Sequence, residues 1–104
     1  IPACLTASAM IGGEVPVSKF AYIGGKAIGE EILASIGNMR AVLLQNHGVF
    51  TIGNSPSHAV KMAVEVEEIA KITHLALMNG NPIILSKDQI VNLEKMYEKE
   101  YGQN

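Results

Sequence analysis

The stretch AVLLQNHGVFTIG, residues 41 to 53, places His47 between two apolar runs and beside a glycine. An imidazole held by buried backbone on both sides, with Gly48 to relax the chain, could present a nitrogen rigidly to a metal. A turn histidine that only hydrogen-bonds would show the same pattern. Zinc of the catalytic kind takes about three protein ligands, commonly histidine nitrogens, and keeps one position open. The chain's other donors of that type are His58, His74 and Cys4. His58 and His74 fall on one predicted helix, about 24 Å apart at a rise of 1.5 Å per residue, so they cannot share an ion. Both are expected to be exposed or to mark a helix boundary. Residue type alone leaves His47 open between ligand and turn residue.

The remaining reactive groups are less specific. Glu30 and Glu31 fall on one predicted helix and Glu65, Glu67 and Glu68 on another, where a solvated face is the expectation. No Ser-His-Asp arrangement follows from the spacing. Double glycines occur in IGG at 11 to 13 and again at 23 to 25, and ordinary turns use such residues as readily as phosphate cradles do. Tyr101, in the tail EKEYGQN, carries a phenol able to donate a proton. A tail tyrosine serves packing equally well.

The elements that must position these groups can be read from periodicity. EVPVSKFAYIGG (14 to 25) has apolar Val15, Val17 and Phe20 interrupted by Pro16, which suits an edge strand or an extended loop. GKAIGEEILASIG sets Ala27, Ile28, Glu31, Ile32 and Ser35 at helical spacing, and Gly37-Asn38 supplies a stop. RAVLLQ is a continuous apolar strand of the doubly buried kind, with GVFTIG as its neighbour. Ser55-Pro56 opens a long helix, the hydroxyl capping and proline taking the first helical position. Its apolar stripe runs through Ala59, Met62, Ala63, Val66, Ile69, Ala70, Thr73, Ala76 and Leu77, to about Met78. After Asn79-Gly80-Asn81-Pro82 and a short extended IIL, Ser86 and Gln89 form a capping-box signature for a last helix over 86 to 99. The pattern predicts an α/β fold with helices covering a sheet.

At 104 residues the chain has the length of one domain. Its formal net charge is −2 and its eight Lys and Arg are scattered, so no basic stripe points to nucleic acid. Apolar residues make up 48% and mean hydropathy is positive, an excess that suits faces meant for another segment or subunit. No apolar run approaches the roughly 20 residues that span a bilayer, and no signal-peptide pattern is present. The lone cysteine, Cys4, excludes an internal disulfide and fits a reducing compartment. The opening IPACLTASAM reads as strand-like and lacks an initiator Met. The expectation is the carboxyl-terminal part of a longer protein, or a processed piece of one.

Taken in order, IPA, VP, LLQNHGVFTIG, AVKMAVEVEEIAKI, PIILSKDQI and the closing YGQ resemble the carboxyl-terminal half of the class II aldolase/adducin family. The resemblance covers nearly the whole chain. Its most specific element is strand, His-Gly and strand, followed by a helix containing EVEEIAK. The resemblance implies an α-β-α layered sandwich of which residues 1–104 form the carboxyl-terminal part. It implies zinc as the divalent metal, with His47 as one of three zinc-binding imidazoles. The other two come from a His-x-His motif in the amino-terminal half, together with a glutamate acid/base, and neither has a counterpart here. Tyr101 matches a tyrosine that works in the active site, often across a subunit boundary. The implied reaction is reversible aldol cleavage of a small sugar phosphate through a metal-stabilised enediolate, as in L-fuculose-phosphate aldolase. The family's L-ribulose-5-phosphate 4-epimerase uses an aspartate in the stretch after IPA. Here that stretch is CLTASAMIGG, without a carboxylate. Thr6 stands near the point where the aldolase has a tyrosine. An epimerase-like enzyme, a related decarboxylase, dehydratase or tautomer-moving enzyme, a non-catalytic adducin-like scaffold, and a fold-only regulatory domain whose His47 merely hydrogen-bonds in a turn are the alternatives. The resemblance further implies a homotetramer and, with two of three ligands missing, an isolated chain that is inactive; the composition adds the expectations of a cytoplasmic protein with no nucleic-acid or membrane partner.

Overall fold

The computed structural model describes residues 1–100. Along the chain lie α1 (Ser8–Ile11), α2 (Ala27–Ser35), β1 (Ala41–Leu44), β2 (Gly48–Thr51), α3 (Pro56–Asn79) and α4 (Lys87–Glu100). The two strands form an antiparallel hairpin in which Ala41 faces Thr51 and Leu44 faces Gly48. The Pro16 segment joins it as a parallel edge through a bridge between Val17 and Leu43. Leu43 N donates to Pro16 O and Ser18 N to Leu43 O, each at 2.8 Å. Proline has no N–H to offer a ladder, so its carbonyl makes the bond, as an edge position permits.

Alternation along β1 sends successive side chains to opposite faces. Ala41 and Leu43, with Val49 of β2, pack on Ile11, Val15, Met62, Val66 and Ile69, which puts α3 on that face. Val42 points the other way and is equally buried, and α2 is the second helix packed on β1. The doubly covered strand read from RAVLLQ is therefore present at Ala41 and Val42, and relaxes to half-buried at Leu43 and Leu44. Helix, sheet and helix make the expected α/β layering.

The helices follow their sequence signals closely. Ser55 caps α3 by accepting from His58 N at 3.1 Å, with Pro56 as the first helical residue. Met62, Val66, Ile69 and Thr73 form its buried stripe. Leu77, expected on that stripe, is half exposed, beyond Thr73 where the buried stripe ends. Ser86 and Gln89 form the reciprocal pair at the start of α4, at 2.9 and 3.1 Å. In α2, Ile28, Glu31, Ile32 and Ser35 are half-buried, and Ala27 is exposed at its first turn.

One expectation fails at the opening. The segment read as strand-like contains the single turn α1, closed where Gly12 and Gly13 take φ of +111° and +128°. Gly12 N and Gly13 N both donate to Ser8 O, so the first double glycine is a helix stop. A second, smaller cluster is built where Ala3 and Ala9 meet Ile90 of α4. Leu85 N donates to Ala3 O at 2.9 Å beside it. Not all the apolar content enters these cores. Leu33 and Ile83 are 81% and 88% exposed. No helix among the described residues is long and apolar enough to cross a membrane.

Gly53 sits where the hairpin turns under the start of α3. A Cβ there would lie 2.6 Å from Ala59 N and 2.8 Å from His58 C, both backbone atoms. Gly53→Ala is expected to destabilise the fold by roughly 1–3 kcal/mol, as overpacking does. Gly29, inside α2 with open space around it, should do the opposite: Gly29→Ala is expected to add about 1 kcal/mol through helix propensity. Urea midpoints of the two variants moving in the same direction would contradict this account.

Candidate functional site

β1 and β2 are joined by Gln45, Asn46 and His47, and His47 N closes the turn on Leu44 O at 2.9 Å. Asn46 takes φ +64°, the left-handed conformation that asparagine tolerates better than other side chains. Gly48 follows at φ +155° with nothing near its missing Cβ, so backbone conformation and not crowding explains the glycine. The polar interruption in the apolar run is thus a tight turn that lifts His47 to the tip of the hairpin.

His47 is exposed, yet its ring is held. Nε2 donates to Ala21 O at 2.7 Å. A carbonyl only accepts, so Nε2 carries a proton, and in the neutral ring the lone pair is on Nδ1. The ring stacks on Phe20 at 5.6 Å between centroids and 12° between planes. The expectation that the two flanking strands would fix the ring is therefore corrected. The strands fix the turn, and the 20–21 segment fixes the ring.

The imidazole lines a cleft of about 750 Å³ between the hairpin tip and α3, with Gln45, Asn46, Val66, Glu67 and Ala70 among its walls. Ile1 also borders it. A larger cavity of about 1080 Å³ lies between the α2–β1 connection and α4. Among the described residues it shares none with the His47 cleft and contains no histidine or cysteine.

The other sequence candidates are dispersed. His58 sits in the first turn of α3, where its Nδ1 accepts from Asn54 N at 2.9 Å, and His74 is exposed farther along the same helix. Cys4 Sγ is 3.4 Å from Thr73 Oγ1. Tyr101 lies outside the described residues. Among the described residues no three of His, Cys, Asp and Glu gather as a metal site. Glu67 was assigned to a solvated face from sequence, but it shares the cleft with His47. Its place beside half-buried Ala63 and Ala70, on the flank of the α3 stripe, is the signal that marks it.

A chemical test of fit can be made on the donor itself. One ring nitrogen is already satisfied by a backbone carbonyl, and the other carries a lone pair, which is how metal-bound imidazoles are commonly oriented. His47 fits one position of a divalent-metal site, with further donors required from outside the described residues.

Comparison with known proteins bears on the same residues. Residues 1–74 match the family model described as Class II Aldolase and Adducin N-terminal domain. The chain is 33% identical to the 5-methylthioribulose-1-phosphate/5-deoxyribulose-1-phosphate aldolase of Rhodospirillum rubrum, over 100% of this chain and 47% of the relative. It is 32% identical to the 5-deoxy-D-ribulose 1-phosphate aldolase of Bacillus thuringiensis serovar kurstaki, over 99% of this chain and 48% of that protein. A solved L-fuculose 1-phosphate aldolase superposes with a TM-score of 0.89 at 30% identity, covering 93% of this chain and 46% of the other. The chain spans about half the length of the curated relatives it matches.

The turn gives a direct test. Asn46→Val is expected to destabilise by about 1–2 kcal/mol, since a β-branched side chain resists positive φ, whereas Asn46→Gly should be nearly neutral. Equal unfolding midpoints for the two variants would show that Asn46 does not hold the left-handed position.

Proposed function

The chain belongs to the class II aldolase and adducin family, and on that premise we propose that it is the carboxyl-terminal part of a zinc-dependent aldolase acting on a small sugar phosphate. The observation that carries the reading is His47, which lines a cleft with its Nε2 anchored on Ala21 O, leaving Nδ1 of the neutral ring as the free donor. His47 would be one zinc ligand, and the remaining histidines and the glutamate acid/base would come from the other half of the domain. When bound, the metal would supply Lewis-acid neutralisation of negative charge developing on substrate oxygens.

The chain's own residues do the rest of the work assigned to this half. The Leu44–His47 turn sets the position of the imidazole, and the Ala21 carbonyl sets its tautomer. Tyr101 would protonate or orient the aldehyde oxygen from the tail. Relatives named for sugar-1-phosphate aldolases support a ketose 1-phosphate as the substrate class. Exposed Leu33 and Ile83 support burial against further protein, here read as the other half and the neighbours of a homotetramer. Free Cys4 is in keeping with the cytoplasm.

The reading makes two measurable demands. In the intact protein, His47→Ala should lose bound zinc and slow cleavage of a ketose 1-phosphate by about 100-fold or more, the scale of losing several kcal/mol of charge stabilisation. Unchanged zinc content would remove His47 from the ligand set. Residues 1–104 alone should show no aldol cleavage, because they supply one histidine of the three. Turnover by this piece would refute the two-part site.

A further inference from the structure

We propose that Phe20 is a positioning residue for His47, its ring face fixing the plane in which the imidazole is offered to a cation. The proposal rests on the reading of His47 as a metal ligand. Phe20 lies almost parallel to the imidazole, at 12° and 5.6 Å, and Tyr22 meets Phe20 edge-on at 83° and 5.0 Å. Both geometries are ones that aromatic rings prefer. Hydrophobic burial does not account for these aromatics. Phe20 is 45% exposed and Tyr22 80% exposed, and neither belongs to a core cluster.

The stack does what the hydrogen bond cannot. Histidine χ2 is a broad torsion with no sharp minimum. A single bond from Nε2 to Ala21 O tethers one ring atom and leaves the plane free to rock about that tether. Contact across the ring face removes this freedom. Tyr22 in turn restrains Phe20. All three residues lie just after the Val17–Leu43 bridge, so the aromatic platform and the hairpin tip are registered by the same backbone bonds.

Two variants of the intact protein separate face from bulk. Phe20→Leu keeps an apolar side chain but removes the ring, and is expected to weaken zinc binding about 10- to 100-fold in competition with a chelator, the range for residues that orient a ligand. Phe20→Tyr keeps the ring and should bind zinc as the parent does. Zinc binding unchanged in Phe20→Leu, or lost equally in Phe20→Tyr, overturns the proposal. Histidine-selective ¹⁵N NMR of the metal-free parent needs no variant to fold. It should show His47 protonated at Nε2, with ring protons shifted upfield by the Phe20 face. Absence of that upfield shift also overturns it. Zinc lost in His47→Ala but kept in Phe20→Leu defeats this proposal alone, whereas zinc kept in His47→Ala defeats the ligand reading beneath it.

Discussion

The backbone of Leu43 is the point on which the site's geometry depends. It pairs with Val49 on one side and exchanges bonds with Pro16 and Ser18 on the other. The hairpin and the edge segment are therefore registered against the same residue. From that register the next few residues of each follow: the hairpin rises to His47, and the edge segment delivers Phe20 and Ala21 beside it. A shift of one residue would turn each side chain to the opposite face of the sheet, and would take the Ala21 carbonyl away from Nε2. Buried Ala41 and Val42, one on each face, hold this register because both covering helices would have to be repacked to change it.

Local signals in the sequence predicted local structure well. Ser55-Pro56 and the Ser86–Gln89 pair announced the starts of α3 and α4, because capping depends only on residues within a turn of one another. The α3 stripe was legible for the same reason. The opening segment was misread because a one-turn helix has no periodicity to detect. Its defining feature is a pair of positive-φ glycines whose N–H groups donate to Ser8 O, and glycine spacing alone does not separate a helix stop from a loop.

The candidate site was legible in part. His47 could be singled out from its setting, and the His-Gly turn matched the resemblance. Neither Phe20 nor the Ala21 carbonyl could be identified as its partners, since they come from a separate segment and one of them is a main-chain atom. Glu67 was likewise lost among its acidic neighbours until the packing of α3 put it in the same cleft. Long-range register decides such neighbours, and it is carried by backbone bonds that no residue type specifies.

The bond from Leu85 N to Ala3 O and the packing of Ala3 and Ala9 on Ile90 join the beginning of the chain to its last helix. Contacts so distant along the chain are formed only after a long loop has closed, which slows folding. During synthesis, the hairpin and α3 can assemble as soon as they emerge. The opening segment can pack Ile11 and Val15 on α3 at that stage, but Ala3 and Ala9 must wait for α4 before their own contacts exist.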